Sequence, residues 1–277
     1  AGDAGGSLGA ALALWHIEFN NKREVNTSDS MKGSYLGTEF DQSQIENELR
    51  SAGANFEILS YEDLINKTSD YLSNEKAIGW FQGRMEFGPR ALGNRSIIAD
   101  PRNSKMQEIL NLKIKFRESF RPFAPSILEE QLSEYYENGK ISPYMLLVDY
   151  IKDEKRESIN EIELSNKVGI EKLRFKRSVI PAVTHLDYSS RIQSVNNVNN
   201  KNFYNLIKSF YNLTNCPIVI NTSFNIRGEP IVQSVEDAYN CFMGTNLDIL
   251  ICGDFYLEKE NQENKNDYNY KEKFELD

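Results

Sequence analysis

A cationic, glycine-rich stretch of this sequence has the residue types of an anion-binding site: RMEFGPRALGNRS, residues 84–96. Its arginines Arg84, Arg90 and Arg95 keep their charge at neutral pH, and their planar forks match pairs of phosphate oxygens. The two glycines let the backbone approach a ligand and point amide N–H groups toward it. The stretch therefore predicts a phosphate site, and the alternative is a long surface loop with solvated arginines.

A second stretch, KIKFRESFRPFAPS at residues 113–126, alternates charged and apolar residues. This pattern predicts a strand with one buried face and one functional face, on which Lys115 and Arg117 point the same way. Pro122 and Pro125 interrupt regular pairing, so we expect the strand at a sheet edge or a bend. The alternative is an edge strand whose charges only prevent aggregation.

A third stretch, NTSFNIRGEP at residues 221–230, follows the apolar run PIVI. The hydroxyl and amide groups of Asn221, Ser223 and Asn225 can bind a ribose, a phosphate or a phosphate that carries Mg²⁺. The alternative is an ordinary polar loop after a strand.

A fourth stretch, THLD at residues 184–187, contains His185 and Asp187. A histidine titrates near neutral pH and can act as a catalyst. The alternative is a packed or capping histidine, and we assign no role to the other histidine, His16.

The charge of the chain is distributed unevenly. The net charge is −9, whereas residues 84–121 hold six arginines and three lysines against four acidic residues. A basic island in an acidic protein favours a small anionic ligand, so a nucleic-acid partner is not expected. No apolar run reaches the ~20 residues of a transmembrane helix and no secretion signal is recognisable, which predicts a cytoplasmic protein without a membrane partner. The three widely spaced cysteines are expected to be buried free thiols.

Helices and strands are mixed along the chain, so the expected fold class is α/β or α+β. Capping signals predict helices that begin at Ser60, Ser104 and Ser234. The polar segment from Glu258 onward is expected to be frayed. The predicted strands are 56–60, 77–82, 143–151, 179–186, 191–195, 217–221 and 248–253, and a further amphipathic helix is predicted at 203–214.

The opening AGDAGGSLGAAL places a glycine-rich turn before an Ala/Leu helix. This order is typical of a phosphate-binding loop inside a domain, so we expect the chain to be part of a longer protein. The alternative is a helix preceded by a flexible glycine tail.

Five stretches together resemble the O-carbamoyltransferases of the NodU nodulation-protein and CmcH cephamycin type, from about Tyr35 to Gly253. The resemblance implies that residues 1–34 are the tail and linker of an ASKHA-like transferase domain, that 35–260 form a carbamoyltransferase C-terminal domain, and that 261–277 are a polar tail. The stretches are GWFQGRMEFGPRALGNRSI (79–97), KFRESFRPFAPS (115–126), PAVTHLD (181–187), RIQSV (191–195) and NTSFNIRGEPIV (221–232).

In this family the ASKHA-fold domain transfers a carbamoyl group to a sugar-like hydroxyl, and a YrdC-like domain makes carbamoyl adenylate from carbamoyl phosphate and ATP. The resemblance implies a YrdC-like twisted mixed sheet with flanking helices and an open, concave, basic cleft. It implies ATP, Mg²⁺, carbamoyl phosphate and the transferase domain of the same longer chain as ligands and partner, with iron or a similar metal only in that domain. The alternatives are a YrdC-like nucleotide- or RNA-binding module and a scaffold without chemistry, and the oligomeric state, a homodimer included, stays open.

The YrdC-like signature Lys-x-Arg with Ser-x-Asn is matched by Lys115-Phe-Arg117 and Ser223-Phe-Asn225. The resemblance implies catalytic roles for Lys115, Arg117 and Arg90. Asp3 matches a metal ligand whose partner histidines would lie in the other domain, so no metal site is expected here. The implied substrate- and nucleotide-binding residues are Arg84, Arg95, Ser96, Arg121, His185, Asp187, Asn221, Ser223 and Asn225.

Two residues depart from the family pattern. Tyr188 stands where a glycine usually follows His-x-Asp, and it would narrow or re-aim that loop. Asn215 replaces a glycine before the PIVI strand, where asparagine can still adopt a left-handed conformation.

Overall fold

A computed structural model describes residues 4–26, 28–159, 161–263 and 270–275. Its main body is an open, eight-stranded mixed sheet with the order β1-β10-β9-β2-β3-β8-β4-β7, and β5 pairs separately with β6. This architecture confirms the predicted α/β class with a mixed sheet. The strands are β1 Glu57–Ile58, β2 Ile78–Phe81, β3 Arg95–Ala99, β4 Ala124–Leu128, β5 Val148–Tyr150, β6 Ser189–Arg191, β7 Gln193–Val195, β8 Ile218–Ser223, β9 Ile249–Cys252 and β10 Phe255–Glu258.

Helices flank the sheet. Helix α3 packs on α7, where the hydroxyl oxygens of Ser69 and Ser209 lie 2.8 Å apart, and α2 packs on α8. Strands β2 and β3 are buried along their whole length, as expected for strands covered on both faces. The α-helices of the described residues are α1 Ala4–Ala13, α2 Gln42–Ser51, α3 Tyr61–Ser73, α4 Met106–Lys113, α5 Leu132–Tyr135, α6 Glu161–Ser165, α7 Lys201–Thr214 and α8 Val235–Gly244.

Local capping explains where several helices begin. The Ser60 hydroxyl accepts a bond from the Asp63 amide at 3.2 Å, and Ser234 forms a reciprocal capping box with Asp237. Both helix starts confirm the predictions made from the capping signals at Ser60 and Ser234. The capping box predicted at Ser104 is wrong, because α4 begins after Lys105 without a side-chain cap.

Three predicted strands differ from the structure. Residues 115–123 are irregular, and β4 begins only at Ala124. Pro125 lies inside the sheet, opposite Ile220 of β8, rather than at an edge. Residues 181–183 form a 3-10 turn, and only Val148–Tyr150 of the 143–151 segment is a strand. Pro181 begins the 3-10 turn, and the positive φ of Phe116 breaks the extended backbone before β4.

Both departures from the family pattern adopt left-handed backbone conformations. The φ angle of Tyr188 is +66° and that of Asn215 is +57°. Asn215 ends α7 in the left-handed conformation, which confirms the expectation for this asparagine. Tyr188 carries a bulky side chain in a conformation that favours glycine, so its loop stores backbone strain.

The three cysteines are free and buried, as predicted. The tail was predicted to be frayed from Glu258 onward, but among its described residues Tyr270 is buried, with only 3% of its surface exposed. Within the described residues, no helix has the length and apolar character needed to cross a membrane.

Candidate functional site

The two signature pairs meet in one cavity of about 610 Å³. The loop after α4 supplies the Lys-x-Arg pair, and the end of β8 with its following turn supplies the Ser-x-Asn pair. Arg121 and Arg227 add two more guanidinium groups to the lining. The cavity is lined by Lys115, Arg117, Arg121, Ser223, Asn225, Ile226, Arg227, Gly228, Glu229, Pro230 and Glu275.

Lys115 is the centre of this site. Its side chain is buried, with 2% of the residue exposed. The ammonium donates to Oδ1 of Asn225 and the carbonyl oxygen of Ser223, both at 2.6 Å, and to the carbonyl oxygen of Asn225 at 2.8 Å. The Ser223 hydroxyl lies 3.3 Å away and donates to the same Asn225 Oδ1 at 2.7 Å. A buried ammonium is thus surrounded by oxygen acceptors.

The backbone around Lys115 turns sharply. The Lys115 amide donates to the carbonyl of Leu110 at the end of α4, and Phe116 has a φ of +49°. The turn sends Arg117 back toward α4, where its Nε donates to Oδ1 of Asn111 at 2.6 Å. The Arg117 guanidinium also stacks 5.0 Å over the ring of Phe123. Arg117 is therefore held in place before any ligand arrives.

The electrostatics of the cavity favour an anionic ligand. Burial, and secondarily the charge of Arg117, lowers the pKa of Lys115 to about 7. Burial and then the charge of Arg121 lower the pKa of Arg117 to about 10. Both cations are destabilised by desolvation and mutual repulsion, and a bound anion would relieve both costs.

Acidic residues at the rim only partly offset these cations. Glu118 pairs with Arg121 at 2.9 Å and with Arg227 at 3.3 Å. The carboxylate of Glu229 lies deeper, where it accepts the amide of Ile226 at 2.7 Å and the hydroxyl of Tyr270. Lys115 and Arg117 have no carboxylate within ion-pair distance among the described residues.

The amides of the RMEFGPRALGNRS stretch point at a carboxyl group of its own, that of Glu86, whose pKa is raised by burial. The buried carboxylate of Glu86 accepts the amides of Leu92 at 2.7 Å, Asn94 at 2.8 Å and Arg95 at 3.2 Å. Gly93 has a φ of +105°, and a Cβ there would lie 2.2 Å from the ring of Phe203. The amides that were predicted to point inward are present, and the Glu86 carboxylate accepts their hydrogen bonds.

Arg95 was predicted to contact the ligand, and the structure corrects this assignment. The residue is fully buried, and its guanidinium stacks 3.6 Å over Phe81. Its guanidinium donates hydrogen bonds to backbone carbonyls, so this cation stabilises the fold. The accepting carbonyls belong to Thr38, Gln82, Gly83 and Asn94.

Arg84 and Arg90 lie outside the Lys115 cavity. Arg84 is exposed and pairs with Glu39 at 3.2 Å. Arg90 lines a separate cavity of about 280 Å³ together with Tyr144 and Leu146. Arg84, Arg90 and Arg95 therefore do not line the cavity that holds Lys115 and Arg117.

Ser96 and Asn221 have structural partners. The Ser96 hydroxyl accepts the Gly93 amide at 3.1 Å. The Asn221 amide nitrogen donates to the Ala91 carbonyl at 3.1 Å and to Gln193 Oε1 at 2.8 Å. Both residues are buried in the sheet. Both side chains therefore help to hold the backbone of the 84–96 loop in place.

His185 and Asp187 border a second cavity of about 730 Å³, which Phe120 and Pro122 also line. The Ser189 hydroxyl donates to Asp187 Oδ1 at 2.7 Å and lies 3.4 Å from Nδ1 of His185. Burial lowers the pKa of His185. The loop between Arg117 and Phe123 separates this cavity from the Lys115 cavity, because Arg121 lines one and its two neighbours line the other.

The sequence predicts no metal site in this chain, because the partner ligands of Asp3 would lie in another domain. Asp3 lies outside the described residues. Among the described residues, no cluster of three or more His, Cys, Asp and Glu side chains is arranged to hold a metal ion.

Comparisons with known proteins identify the family. A family model described as carbamoyltransferase C-terminus matches residues 69–259. The chain belongs to this family. The predicted relation to NodU- and CmcH-type carbamoyltransferases is thereby confirmed.

Relatives of the chain are considerably longer than the chain. It is 50% identical over 100% of its length to an uncharacterized protein of Synechocystis sp., of which it covers 45%. It is 38% identical over 94% of its length to the nodulation protein NolO of Bradyrhizobium diazoefficiens, of which it covers 43%. It is 28% identical over 70% of its length to 3'-hydroxymethylcephem-O-carbamoyltransferase of Amycolatopsis lactamdurans, covering 33% of that protein. The chain thus spans less than half the length of these relatives.

In this member of the carbamoyltransferase C-terminus family, four residues at or near the sites lie outside the predicted set. Asn111 orients Arg117, and Glu229 with Tyr270 lies behind Lys115. Arg191 has a buried Nε without a hydrogen-bond partner among the described residues, and burial followed by the charge of Arg90 lowers its pKa. RIQSV was the available signal for Arg191 and NTSFNIRGEPIV the one for Glu229, whereas no local pattern marks Asn111 or Tyr270.

Proposed function

We propose that the Lys115 cavity binds ATP and carbamoyl phosphate and forms carbamoyl adenylate, for transfer to a hydroxyl of a sugar or natural product by another domain of a longer protein. The observation that carries the proposal is the contact of Lys115 with Ser223 and Asn225, which joins the two signature pairs in one cationic cavity. Family membership supports the carbamoyl-transfer chemistry.

The cavity suits a polyphosphate. Its lining carries the ammonium of Lys115 and the guanidinium groups of Arg117, Arg121 and Arg227. Guanidinium groups fit phosphate oxygens in pairs, and preorganised cations can stabilise charge that develops during phosphoryl transfer. Arg117 is already oriented by Asn111, so little reorganisation is needed when the phosphates bind.

Two of the carboxylates at the cavity are already engaged, and Glu275 is the remaining carboxylate among the described lining residues that could ligate Mg²⁺. Octahedral Mg²⁺ sites use carboxylates together with water and substrate phosphates, but Glu118 is paired with two arginines and Glu229 is bonded to Tyr270 and Ile226. In this proposal Mg²⁺ arrives on the triphosphate of ATP.

The proposed reaction has two steps. Hydrolysis of carbamoyl phosphate by water releases inorganic phosphate and carbamate. A carbamate oxygen then forms a bond to the α-phosphorus of ATP, while the bond from that phosphorus to pyrophosphate breaks. Lys115 and Arg117 would orient the reacting groups and neutralise charge on the phosphates.

Arg90 and Arg191 are the basis for a second proposed region of contact with the substrates. The charge of Arg90 adds to burial in lowering the pKa of Arg191, so the two guanidinium groups repel each other. An anion between them would remove that repulsion. We propose that this pair, with His185 beside Arg191, binds a second anionic group of the substrates.

An RNA-binding role is less consistent with the structure. Duplex RNA is recognised across an extended basic surface, whereas the cations near Lys115 line a cavity of about 610 Å³ and two of them pair with Glu118. Steep salt-dependent binding of duplex RNA without adenylate formation would favour the RNA role.

The proposal is tested by incubating the full chain with ATP, Mg²⁺ and carbamoyl phosphate. Mass spectrometry should detect carbamoyl-AMP, with pyrophosphate released in equal amount. Arg117→Lys should reduce the product strongly because the lysine loses the fork held by Asn111. The matched control is Arg50→Lys, an exposed residue of α2 that pairs with Glu46 and lies outside the lining of the Lys115 cavity; it should retain product formation. No adenylate from wild-type chain that binds MgATP would contradict the proposed reaction.

A further inference from the structure

The segment 270–275 packs against the turn that carries part of the Lys115 site. Tyr270 is buried, and its ring contacts the ring of Phe274 with centroids 5.4 Å apart. A Cβ added to Gly228 would lie 2.2 Å from the carbonyl oxygen of Glu275, and one added to Gly244 would lie 2.2 Å from Cβ of Tyr270. The glycines therefore permit a close approach, and the segment closes one side of the Lys115 cavity.

Hydrogen bonds on both sides of Glu229 connect this segment to Lys115. The Tyr270 hydroxyl donates to Glu229 Oε1, and the Ile226 amide donates to the other carboxylate oxygen at 2.7 Å. The Asn225 side-chain nitrogen donates to the Glu229 carbonyl at 2.7 Å, and its Oδ1 accepts from the Lys115 ammonium at 2.6 Å. Glu229 thus connects the two ends: its carboxylate binds Tyr270 and Ile226, and its backbone carbonyl binds the Asn225 amide that contacts the Lys115 ammonium.

The charges of this set depend on one another. Burial raises the pKa of Glu229, while the bonds from Tyr270 and Ile226 and the charge of Lys115 lower it. Glu229 in turn raises the pKa of Lys115 against the larger effects of burial and Arg117. The buried Cys241 thiol on α8 is the other titratable group facing both.

We propose that Tyr270 is a positioning residue for Lys115: its phenol holds the Glu229 carboxylate, which fixes the Asn225–Glu229 turn and with it the buried ammonium. Its importance for catalysis rests on the proposed function, whereas its effect on Lys115 does not. Tyr270 lies outside all the motifs of the family and reaches the site only through the folded chain.

The proposal is tested by NMR titration of the full chain labelled with ¹³Cε-lysine, with Lys115 assigned by the loss of its signal in Lys115→Arg. Tyr270→Phe keeps the ring and removes one donor. Glu229 should then lose charge, and the Lys115 titration should move down by about one pH unit. Glu229→Gln should cause a shift in the same direction, and the double variant should match Glu229→Gln alone, because the phenol acts through the carboxylate.

The matched control is Tyr71→Phe, which removes another phenol donor to a carboxylate, Glu258 Oε1 at 2.8 Å. Tyr71 and Glu258 lie outside the lining of the Lys115 cavity. This control should leave the Lys115 titration unchanged. Hydrogen exchange at the Ile226 amide gives a second measurement, and it should accelerate in Tyr270→Phe only.

Two results would overturn the proposal: a Lys115 titration and Ile226 exchange that are unchanged in Tyr270→Phe, or shifts from Tyr270→Phe and Glu229→Gln that simply add. MgATP affinity provides the functional readout. At pH 8 the Tyr270→Phe affinity should be about tenfold weaker, and the loss should be smaller at pH 6, where Lys115 is protonated again. A wild-type chain that fails to bind MgATP contradicts the proposed function, while the NMR result for Tyr270 is unaffected.

Discussion

The Lys115 ammonium lies 2.6 Å from Oδ1 of Asn225, which is 110 residues further along the chain. The same ammonium bonds to the backbone carbonyls of Ser223 and Asn225. One side chain therefore both joins two distant segments and provides the central cation of the cavity. Substitutions at Lys115 have to separate these two effects.

Lys115→Arg should preserve the positive charge but disrupt the hydrogen bonds that the Lys115 ammonium makes to Ser223 and Asn225. A planar guanidinium cannot replace a compact ammonium among four oxygen acceptors. We expect the rate of carbamoyl-adenylate formation to fall about 100-fold or more, by roughly 3 kcal/mol. Lys113→Arg, at an exposed position on α4, is the control and should be neutral. Pyrophosphate release measures the rate, and a wild-type rate in Lys115→Arg would contradict the assigned role.

Ligand affinity should decrease with rising pH. The pKa of Lys115 is lowered to about 7 by burial and then by Arg117, so the free protein loses the ammonium as the pH rises through 7. Because the anion binds the protonated form, MgATP affinity should fall about tenfold per pH unit well above this value and should be nearly constant below it. Calorimetry between pH 6 and pH 9 should also detect proton uptake on binding, and an affinity independent of pH would contradict the prediction.

The sequence was informative where chemistry depends on residue identity. The Lys-x-Arg and Ser-x-Asn pairs were expected to act together on the strength of the resemblance, and they do meet around Lys115. The alternating pattern of 113–126 misled because it does not show the reversal at Phe116, whose φ is +49°. A period-2 pattern reports a strand only when the backbone stays extended.

The arginines of residues 84–96 were less predictable for a different reason. Their types indicate anion binding, but the sequence does not show which acceptor lies nearest after folding. Arg95 meets four backbone carbonyls, and Glu86 fills the ring of amides that was expected to face a ligand. Tyr270 was beyond sequence reasoning, because only tertiary packing brings it to Glu229.

Arg95→Met should destabilise the protein. The substitution leaves buried carbonyls without their donor and removes the stack on Phe81. We expect the free energy of unfolding to fall by roughly 3 kcal/mol in urea denaturation. Arg84→Met removes an exposed pair with Glu39 and should change stability by less than about 1 kcal/mol. Equal effects of the two substitutions would contradict a structural role for Arg95.

Glu86→Ala should turn the internal anion site into an external one. The amides of Leu92, Asn94 and Arg95 would lose their acceptor, which should lower the free energy of unfolding by about 1–3 kcal/mol. Acetate should then raise the thermal midpoint of this variant more than that of the wild type, because an anion that binds the folded state stabilises it. Sodium chloride at the same ionic strength is the control, and equal responses to both salts would contradict the site.

Tyr188 allows backbone strain to be separated from side-chain packing. Its φ is +66°, and the Arg156 guanidinium lies 4.7 Å from its ring centroid. Tyr188→Gly relieves the strain and loses the stack, two effects of about 1 kcal/mol each that should nearly cancel. Tyr188→Ala loses the stack but keeps the strain, so it should be less stable than Tyr188→Gly by about 1 kcal/mol. Urea denaturation measures the difference, and equal stabilities of the two variants would show that the left-handed conformation costs nothing here.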